Sequence, residues 1–473
     1  MLNCLTLSGT RLARRAARHY NEGVKRRERT LERNNSPVTR IVVVGGGAGG
    51  LELATRLGHR YARDSSVNIT LVDRSYSHLW KPLLHDVAAG TLNSNTDELS
   101  YLAQAHWHHF EFRLGALLAL DRAAKTITIA ASLDANGHEY IPQRHLPYTF
   151  LVLAIGSVTN DFGIPGVAEH CLFLDSREQA DAFHQHLVRA CYAADAQNEP
   201  VHPGQLHVAI AGAGATGVEL AAELHHSLHT LVGFGLDHID VAKDIRIHLV
   251  EASDRILPSL PVTIAASTQT ILERIGVIVH TGDPIAHATA VGLKTASGKF
   301  IAADIKVWAA GIRGPAVLSS LDGLAVNRAN QLTVRTTLQT TLDDDIFALG
   351  DCAACPRDST HLVPPRAQAA HQQASLLVRS IDCRRRGLPL PSYIYQDFGS
   401  LINLSRYSAI GNLMGNLFRR HTTTLPLEGW LARWAYLSLY KMHQIAVQGW
   451  LRTALTTAAD LLTRAGRPRL KLH

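Results

Sequence analysis

The sequence predicts an α/β fold built on two dinucleotide-binding units, and three observations predict it. Ile41–Gly50, IVVVGGGAGG, runs an apolar strand into glycines at the G-x-G-x-x-G spacing, with Gly45, Gly47 and Gly50 in place. Leu206–Gly217, LHVAIAGAGATG, repeats that design with Gly212, Gly214 and Gly217 in register. Each unit is followed by a strand that ends on an acid, Asp73 in NITLVD and Glu251 in DIRIHLVE. Consecutive apolar β-formers describe a strand buried on both faces of a parallel sheet. The first glycine then permits a tight turn, the second lets backbone approach a pyrophosphate, and the third lets helix pack close on strand. The helix N-terminus adds amide donors and the positive end of its dipole.

Order along the chain supports the same reading. Asp73 lies 23 residues beyond Gly50, near the offset of a ribose-binding carboxylate. Glu251 lies 34 beyond Gly217, and the excess is assigned to an insertion over Leu231–Lys243. Between the units, His78–His85 (HLWKPLLH) is a loop rich in rings and charge, and residues 112–141 alternate in short β runs around a turn at Asp134–Gly137. Phe150–Ile155 is a buried strand closed by Gly156, and Ile305–Gly311 parallels it for the second unit. Asp345–Asp351 turns a strand into a Gly350-Asp351 step. Pro364-Pro365-Arg366 precedes a helix that carries Gln368 and Gln372 four residues apart, hence on one face.

Bulk composition restricts the class. A chain of 473 residues, 46% hydrophobic and 18% charged, is folded and too long for one core. Its net charge of +7 is uneven: residues 1–40 hold ten basic against three acidic side chains, residues 417–473 nine against two, and the remainder 28 against 35. An acidic body with basic ends fits an anionic lipid surface, whereas a nucleic-acid binder more often concentrates charge on a folded domain. Six cysteines do not make a disulfide scaffold, and no apolar run reaches the length of a membrane span. Residues 1–38 are expected to be a disordered basic leader; their Arg-rich, acid-poor start also resembles a mitochondrial presequence.

The tail differs from the body. Trp430, Trp434, Trp450, Tyr436 and Tyr440 alternate with apolar residues at helical intervals, and Arg433, Lys441, Arg452, Arg464, Arg467, Arg469 and Lys471 are interleaved. Aromatic and basic side chains in this mixture favour the lipid–water boundary. Residues 401–473 are therefore expected to form a helical membrane-association region, with a homodimer seam as the alternative use of the same face.

With these motifs in hand, a resemblance becomes specific. The order of GGGAGG, LVLAIGS, AGAGATGVE, VWAAG and FALGD resembles the flavoproteins with two dinucleotide-binding domains. HLWKPLLHDVAAGTL, AGAGATGVELAAEL, VPPRAQAAHQQA and the ending RPRLKLH are similar to the bacterial type II NADH:quinone oxidoreductases, over nearly everything from residue 39 onward. The resemblance implies a first FAD-binding part at 39–160, an NADH-binding domain inserted at 161–311, and a second FAD-binding part at 312–400. It assigns non-covalent FAD to Gly45, Gly47, Gly50, Asp73, Gly350 and Asp351, with Lys81, Pro82 and Gly156 near the flavin ring. It assigns NADH to Gly212, Gly214, Gly217, Glu251 and Gly311. A carboxylate at Glu251 favours NADH over NADPH, although Arg255 leaves the phosphorylated form open. Gln368 and Gln372 match residues that line the quinone tunnel, and Glu219 matches a position that couples hydride and proton movement.

The implied activity is electron transfer from NADH through FAD to a membrane quinone, ubiquinone or menaquinone, without proton pumping and without a metal. The implied location is the cytoplasmic face of the bacterial inner membrane, with the mitochondrial inner membrane as alternative. Cys352-x-x-Cys355 directly follows the Gly350-Asp351 step and is expected to be inert, but it keeps a sulfide:quinone oxidoreductase-like reading open. Two further alternatives are an NADH-dependent reductase for a protein carrier and a redox sensor that governs a protein partner.

Overall fold

Two parallel sheets, each fed by a glycine turn, set the positions of everything else. The structure, a computed structural model, describes residues 38–94, 98–134, 136–414, 424–428, 430–463 and 470–471, with backbone alone at 411–437, 439, 460–461 and 463. The expected leader at 1–38 lies outside this description except for Val38. So do the side chains of Trp430, Arg433 and Trp434, and residues Arg464, Arg467 and Arg469 altogether.

The first unit is β1 (Thr39–Val44), α1 (Ala48–Tyr61) and β2 (Val67–Asp73). The last four residues of β1 are all buried, as a strand covered on both faces requires. Then come α2 (Leu84–Ala89), α3 (Tyr101–His108) and β3 (Glu111–Leu114). Three antiparallel strands, β4 (Leu117–Asp121), β5 (Thr126–Ile129) and β6 (Arg144–Pro147), form a small layer before β7 (Phe150–Leu153) returns to the sheet. Tyr140–Ile141, expected in that layer, belongs instead to a separate hairpin with Ser132–Leu133. The Asp134 side chain closes its turn by accepting the backbone N–H groups of Asn136 and His138.

The second unit follows α4 (Arg177–Ala196) and comprises β8 (Leu206–Ala211), α5 (Ala215–Val232) and β9 (Ile245–Val250). Helix α5 has 18 residues against 14 in α1, and with the connection behind it this absorbs the extra length expected around Leu231–Lys243. β10 (Ile278–His280), the antiparallel layer of β11 (Ile285–Thr289), β12 (Gly292–Thr295) and β13 (Phe300–Ala302), and β14 (Ile305–Trp308) complete it. Its sheet runs β10–β9–β8–β14, all parallel.

The chain then re-enters the first sheet with β15 (Gln339–Thr340) and β16 (Asp343–Ala348), giving the order β15–β16–β7–β1–β2–β3 with only β15 antiparallel. The second unit is thus inserted between two parts of the first sheet. Helix α6 (Ala367–Arg385) packs across α1. That approach needs Gly49, where a Cβ would stand 3.1 Å from the Ala370 carbonyl oxygen of α6. It also buries Glu52, which pairs with Arg56 and His371.

The C-terminal region departs from expectation at its start. Residues 401–473 are expected to be helical, but the described residues up to 428 form a three-stranded antiparallel sheet, β17 (Ser400–Leu404), β18 (Ser408–Met414) and β19 (Thr424–Glu428). Ile402 and Leu404 alternate into the core, a period-2 signal that the heavier aromatic pattern downstream obscured. The two helices follow, α7 (Trp430–Gln448) and α8 (Trp450–Thr463), separated by Gly449 at φ 84°.

The third glycine of each motif leaves no room for a side chain: a Cβ on Gly50 would stand 1.8 Å from the Gly45 carbonyl oxygen. Gly50→Ala is expected to lower stability by on the order of 3 kcal/mol. Gly47→Ala, at a helix N-cap with nothing within 4 Å of the added carbon, is expected to stay within about 1 kcal/mol of the parent. Urea unfolding midpoints of the two variants check both.

Candidate active site

The two glycine turns are copies in geometry as well as in sequence. The Asp73 carboxylate accepts the N–H of Gly46 at 2.6 Å and of Ser75 at 2.8 Å. Glu251 does the same with Ala213 at 2.8 Å and Ser253 at 2.9 Å. A carboxylate has about four acceptor sites, so each acid keeps capacity for ribose hydroxyls after bracing its own turn. Gly45 and Gly212 both take φ near +100°, the region that favours glycine. Above Gly47 and Gly214 a side chain would meet nothing within 4 Å. The open space lies where a pyrophosphate would approach, so the residues present fit one dinucleotide at each turn.

A cavity of about 410 Å³ opens beside the second turn, lined by Gly212, Gly214, Glu251, Trp308, Gly311 and Phe162. Gly311 sits there at φ 63° with no room for a side chain against the Phe162 ring. Arg255 turns away from phosphate chemistry, since its guanidinium donates to the carbonyls of Leu257, Pro258 and Leu260. A second, more polar cavity of about 650 Å³ lies beyond Asp73, lined by Arg74, Ser75, Tyr76 and Arg177 among others.

The residues assigned to the flavin ring and ribityl chain converge from three elements. Lys81 donates to the Ser157 carbonyl at 2.8 Å, and the Ser157 hydroxyl donates to Asp351 at 2.9 Å. Burial pushes the Asp351 carboxyl up. Pro82 stands in the same short 3₁₀ turn as Lys81. Gly156, at φ 70°, faces open space, and Gly350 at φ 72° donates its N–H to Gln373 at 2.7 Å. Gln373 was not singled out in the sequence. It faces the core with Ala369, Ala370 and Ala374, one step round α6 from Gln372.

Gln368 and Gln372 do share a face, but their amides are engaged with backbone. Gln368 donates to the Gly399 carbonyl and accepts the Phe398 N–H; Gln372 donates to the Gln396 carbonyl and accepts the Gln396 N–H. With Arg366 on Asp397, they hold residues 393–399 as a strap along α6. The pair therefore shapes a wall, and further ligand contacts would use remaining lone pairs or an amide rotation.

Glu219 stands on the second turn of α5, buried, with Oε1 accepting the Asn403 N–H at 2.9 Å and Oε2 3.9 Å from His85 Nδ1. Burial pushes its carboxyl up to about 7, against a lowering by His85 and the Asn403 hydrogen bond. Asp86, whose side chain keeps 15% of its surface exposed, is pushed well above the ordinary carboxylate range by desolvation and by Glu223.

Two residues that sequence reasoning passed over tie the first turn to the C-terminal helices. His78 Nδ1 and the Tyr101 hydroxyl both bond the Gly46 carbonyl, at 2.9 and 2.8 Å. Since a carbonyl only accepts, His78 Nδ1 carries a proton. Burial lowers the ring to about 4, so it is neutral near pH 7, and its Nε2 accepts from His443 Nε2 at 2.9 Å. Trp80 stacks on His443 and Tyr440 of the same helix. His78 and Trp80 lay within the ring-rich loop already noted, but their partners in α7 are tertiary. Cys352 and Cys355 are buried, and burial pushes their thiols up to about 11 and about 12, which suits neither a nucleophile nor a redox relay. No group of three or more His, Cys, Asp or Glu suited to a metal occurs among the described residues.

The raised Glu219 carboxyl gives a stability signature. Between about pH 4.5 and 7 the unfolded chain has released this proton and the folded chain has kept it, so stability falls as pH rises through that window. Glu219→Gln is expected to gain roughly 3 kcal/mol relative to the parent on going from pH 4.5 to 7. Paired denaturant titrations at the two pH values check this.

Residues 39–374 match the family model of the pyridine nucleotide-disulphide oxidoreductases. A type II NADH:quinone oxidoreductase of Haemophilus influenzae is 43% identical over 446 residues, covering 92% of this chain and 99% of that one. The type II NADH:quinone oxidoreductase Ndh of Mycobacterium tuberculosis is 27% identical over 438 residues, 90% of each. The structure of NDH2 from Plasmodium falciparum in complex with NADH shares the fold, with a TM-score of 0.75 at 18% identity over 92% of this chain and all of that one. The chain belongs to the pyridine nucleotide-disulphide oxidoreductase family and, within it, to the type II NADH:quinone oxidoreductases.

Proposed function

We propose that this chain oxidises NADH and reduces a membrane quinone while resting on the bilayer surface, without moving protons across it. The observation that carries the reading is the pair of braced glycine turns in one chain, each with its carboxylate and its open approach for a pyrophosphate. Held at the first turn, FAD would supply the redox chemistry that links hydride removal from NADH to quinone reduction. The chain's own residues position, shield and pair charges. Gly45, Gly47, Gly50 and Asp73 hold the flavin dinucleotide, with Asp351 and Gly350 on its ribityl side and Lys81, Pro82 and Gly156 at its ring. Gly212, Gly214, Gly217, Glu251 and Gly311 hold NADH. Glu219 supplies or receives a proton, and Gln368 and Gln372 form the quinone wall through the strap they fasten. The division at 39–160, 161–311 and 312–400, with the membrane region behind it, is the domain arrangement that this assignment uses.

The lipid surface is the finer part of the proposal. Trp450, Leu451, Leu455 and Leu462 of α8 are all exposed, Leu462 at 83%. On a helix packed against a soluble core the apolar stripe faces inward; here it faces outward, as on an interfacial helix. Met442 and Ile445 extend the surface onto α7, and Arg452 lies over the Trp107 ring. No described helix is long and apolar enough to cross a membrane. We place this face on an anionic leaflet, at the cytoplasmic side of a bacterial inner membrane. A homodimer burying the same face is the competing occupant.

Gly47→Leu is expected to purify with less than about a tenth of the parent's flavin while still binding NADH, read as bound-flavin absorbance beside nucleotide fluorescence titration. Truncation of α7 would strip His443 from His78, so the surface is better tested by substitution. The triple variant Leu451→Ser, Leu455→Ser, Leu462→Ser is expected to lose at least tenfold in co-sedimentation with phosphatidylglycerol vesicles and to keep turnover with a water-soluble short-chain quinone. Undiminished co-sedimentation would contradict the lipid assignment. A gel-filtration mass that halves in the variant would favour the dimer.

A further inference from the structure

The overall reaction, NADH + H⁺ + quinone → NAD⁺ + quinol, takes one proton from water for every hydride that NADH delivers. That proton has to reach a buried centre, and Glu219 is itself buried. Something must refill it. Its free oxygen, Oε2, faces His85 Nδ1 at 3.9 Å, and the other ring nitrogen, His85 Nε2, stands 3.3 Å from Asp86 Oδ1. His85 is 2% exposed, and its Nε2 is buried with no hydrogen bond made in good geometry. A buried imidazole nitrogen without a well-formed hydrogen bond costs stability, and its retention calls for a functional reason.

We propose that His85 is a proton relay, taking the proton of Asp86 at Nε2 and giving the Nδ1 proton to Glu219, so that Asp86 and Glu219 act as the store that supplies quinol formation. This rests on the quinone-reductase reading above. The balance is simple: the Asp86 O–H bond breaks as the His85 Nε2–H bond forms, the His85 Nδ1–H bond breaks as the Glu219 Oε2–H bond forms, and no electrons move in the relay. Asp86 is then reprotonated from water, and a half-turn of the His85 ring about its Cβ–Cγ bond returns a protonated nitrogen to the Glu219 side. The 3.9 Å gap exceeds a hydrogen bond, and such contacts characteristically tighten only when ligands are bound.

The surroundings favour protonated carboxyls over ion pairs. From α5, Glu219 and Glu223 face the site; from α2, His85 and Asp86; from β17, the Asn403 amide hydrogen-bonds Glu219. Behind α2, helix α4 brings His184 and Asp181, and these are occupied with Lys471, at 2.6 Å to its carbonyl and 3.1 Å to its ammonium. The Lys471 charge is thereby taken up before it reaches Asp86. The Tyr407 hydroxyl bonds His225 at 2.6 Å, and its proton is held more tightly by burial and by the nearby Glu223 charge. Three carboxyls share the site, with one histidine set between two of them. Desolvation raises Glu219 and Asp86, and the neighbouring carboxyls add to it by like-charge repulsion.

The test has one readout that needs no turnover. In infrared pH titrations of the protein as purified, the carboxylic-acid carbonyl band assigned by its loss in Glu219→Gln should disappear near pH 7 in the parent. His85→Gln removes a group that lowers Glu219, so the band should persist to higher pH; Asp86→Asn removes one that raises it, so the band should vanish at lower pH. In rapid mixing with NADH and then a short-chain quinone, followed between pH 6 and 9, both variants should recover flavin absorbance at least tenfold more slowly above pH 7. Asp86→Glu should restore the parent's pH profile. An unmoved band, or a recovery profile with the parent's pH dependence, overturns the relay, and Asp86→Asn alone decides if His85→Gln does not fold. If quinone fails to restore the parent's flavin, the quinone reading falls instead, and the band shifts still judge the contact between His85 and Glu219.

Discussion

The structure depends on two places where a helix is pressed against a glycine turn until no side chain fits. At Gly50 and Gly217 the space left for a Cβ ends at 1.8 and 1.9 Å from a carbonyl oxygen of the same turn. That closeness aims the N-termini of α1 and α5 at the carboxyl ends of their sheets, where a dipole and free amides meet a phosphate. The carboxylates at the ends of β2 and β9 then brace the turns by accepting a backbone N–H from inside each motif. One arrangement made twice gives each turn an open approach for one dinucleotide.

The glycines were legible in the sequence because their cause is local. A turn at positive φ and an approach with no Cβ leave few residue choices, and the spacing records them directly. The acids at 73 and 251 were legible for a related reason, since each ends an apolar strand at a length that helix and strand fix between them. Where partners come from distant segments, the sequence said less. Gln368 and Gln372 could be placed on one helical face, but not against residues 393–399. His85 could be seen in a ring-rich loop, but not between Asp86 and Glu219. Thr424–Glu428 fell within the region expected to be helical, yet they form β19, and the helix begins only at Trp430. A periodicity drawn across a boundary carries no information about where the boundary lies.

The C-terminal helices are joined to the catalytic body by more than a tether. His443 of α7 donates to His78, which in turn holds the carbonyl of Gly46 in the middle of the first glycine motif. Trp80, one residue before Lys81, is stacked on the same helix. At the far end Lys471 closes on Asp181 and His184, and its backbone N–H donates to the Gly90 carbonyl. The C-terminal region is therefore tied by hydrogen bonds to the first glycine turn, through His443 and His78, and to α4 and the end of α2, through Lys471.

The central claim is that the first turn takes the flavin dinucleotide and the second takes NADH. A structure of the purified, flavin-loaded protein soaked anaerobically with NADH tests it most directly. The account predicts the flavin pyrophosphate over Gly47 with its adenosine ribose on Asp73, and the NADH ribose on Glu251 within the cavity beside Gly212. NADH found at Asp73, or a flavin pyrophosphate found over Gly214, would contradict it.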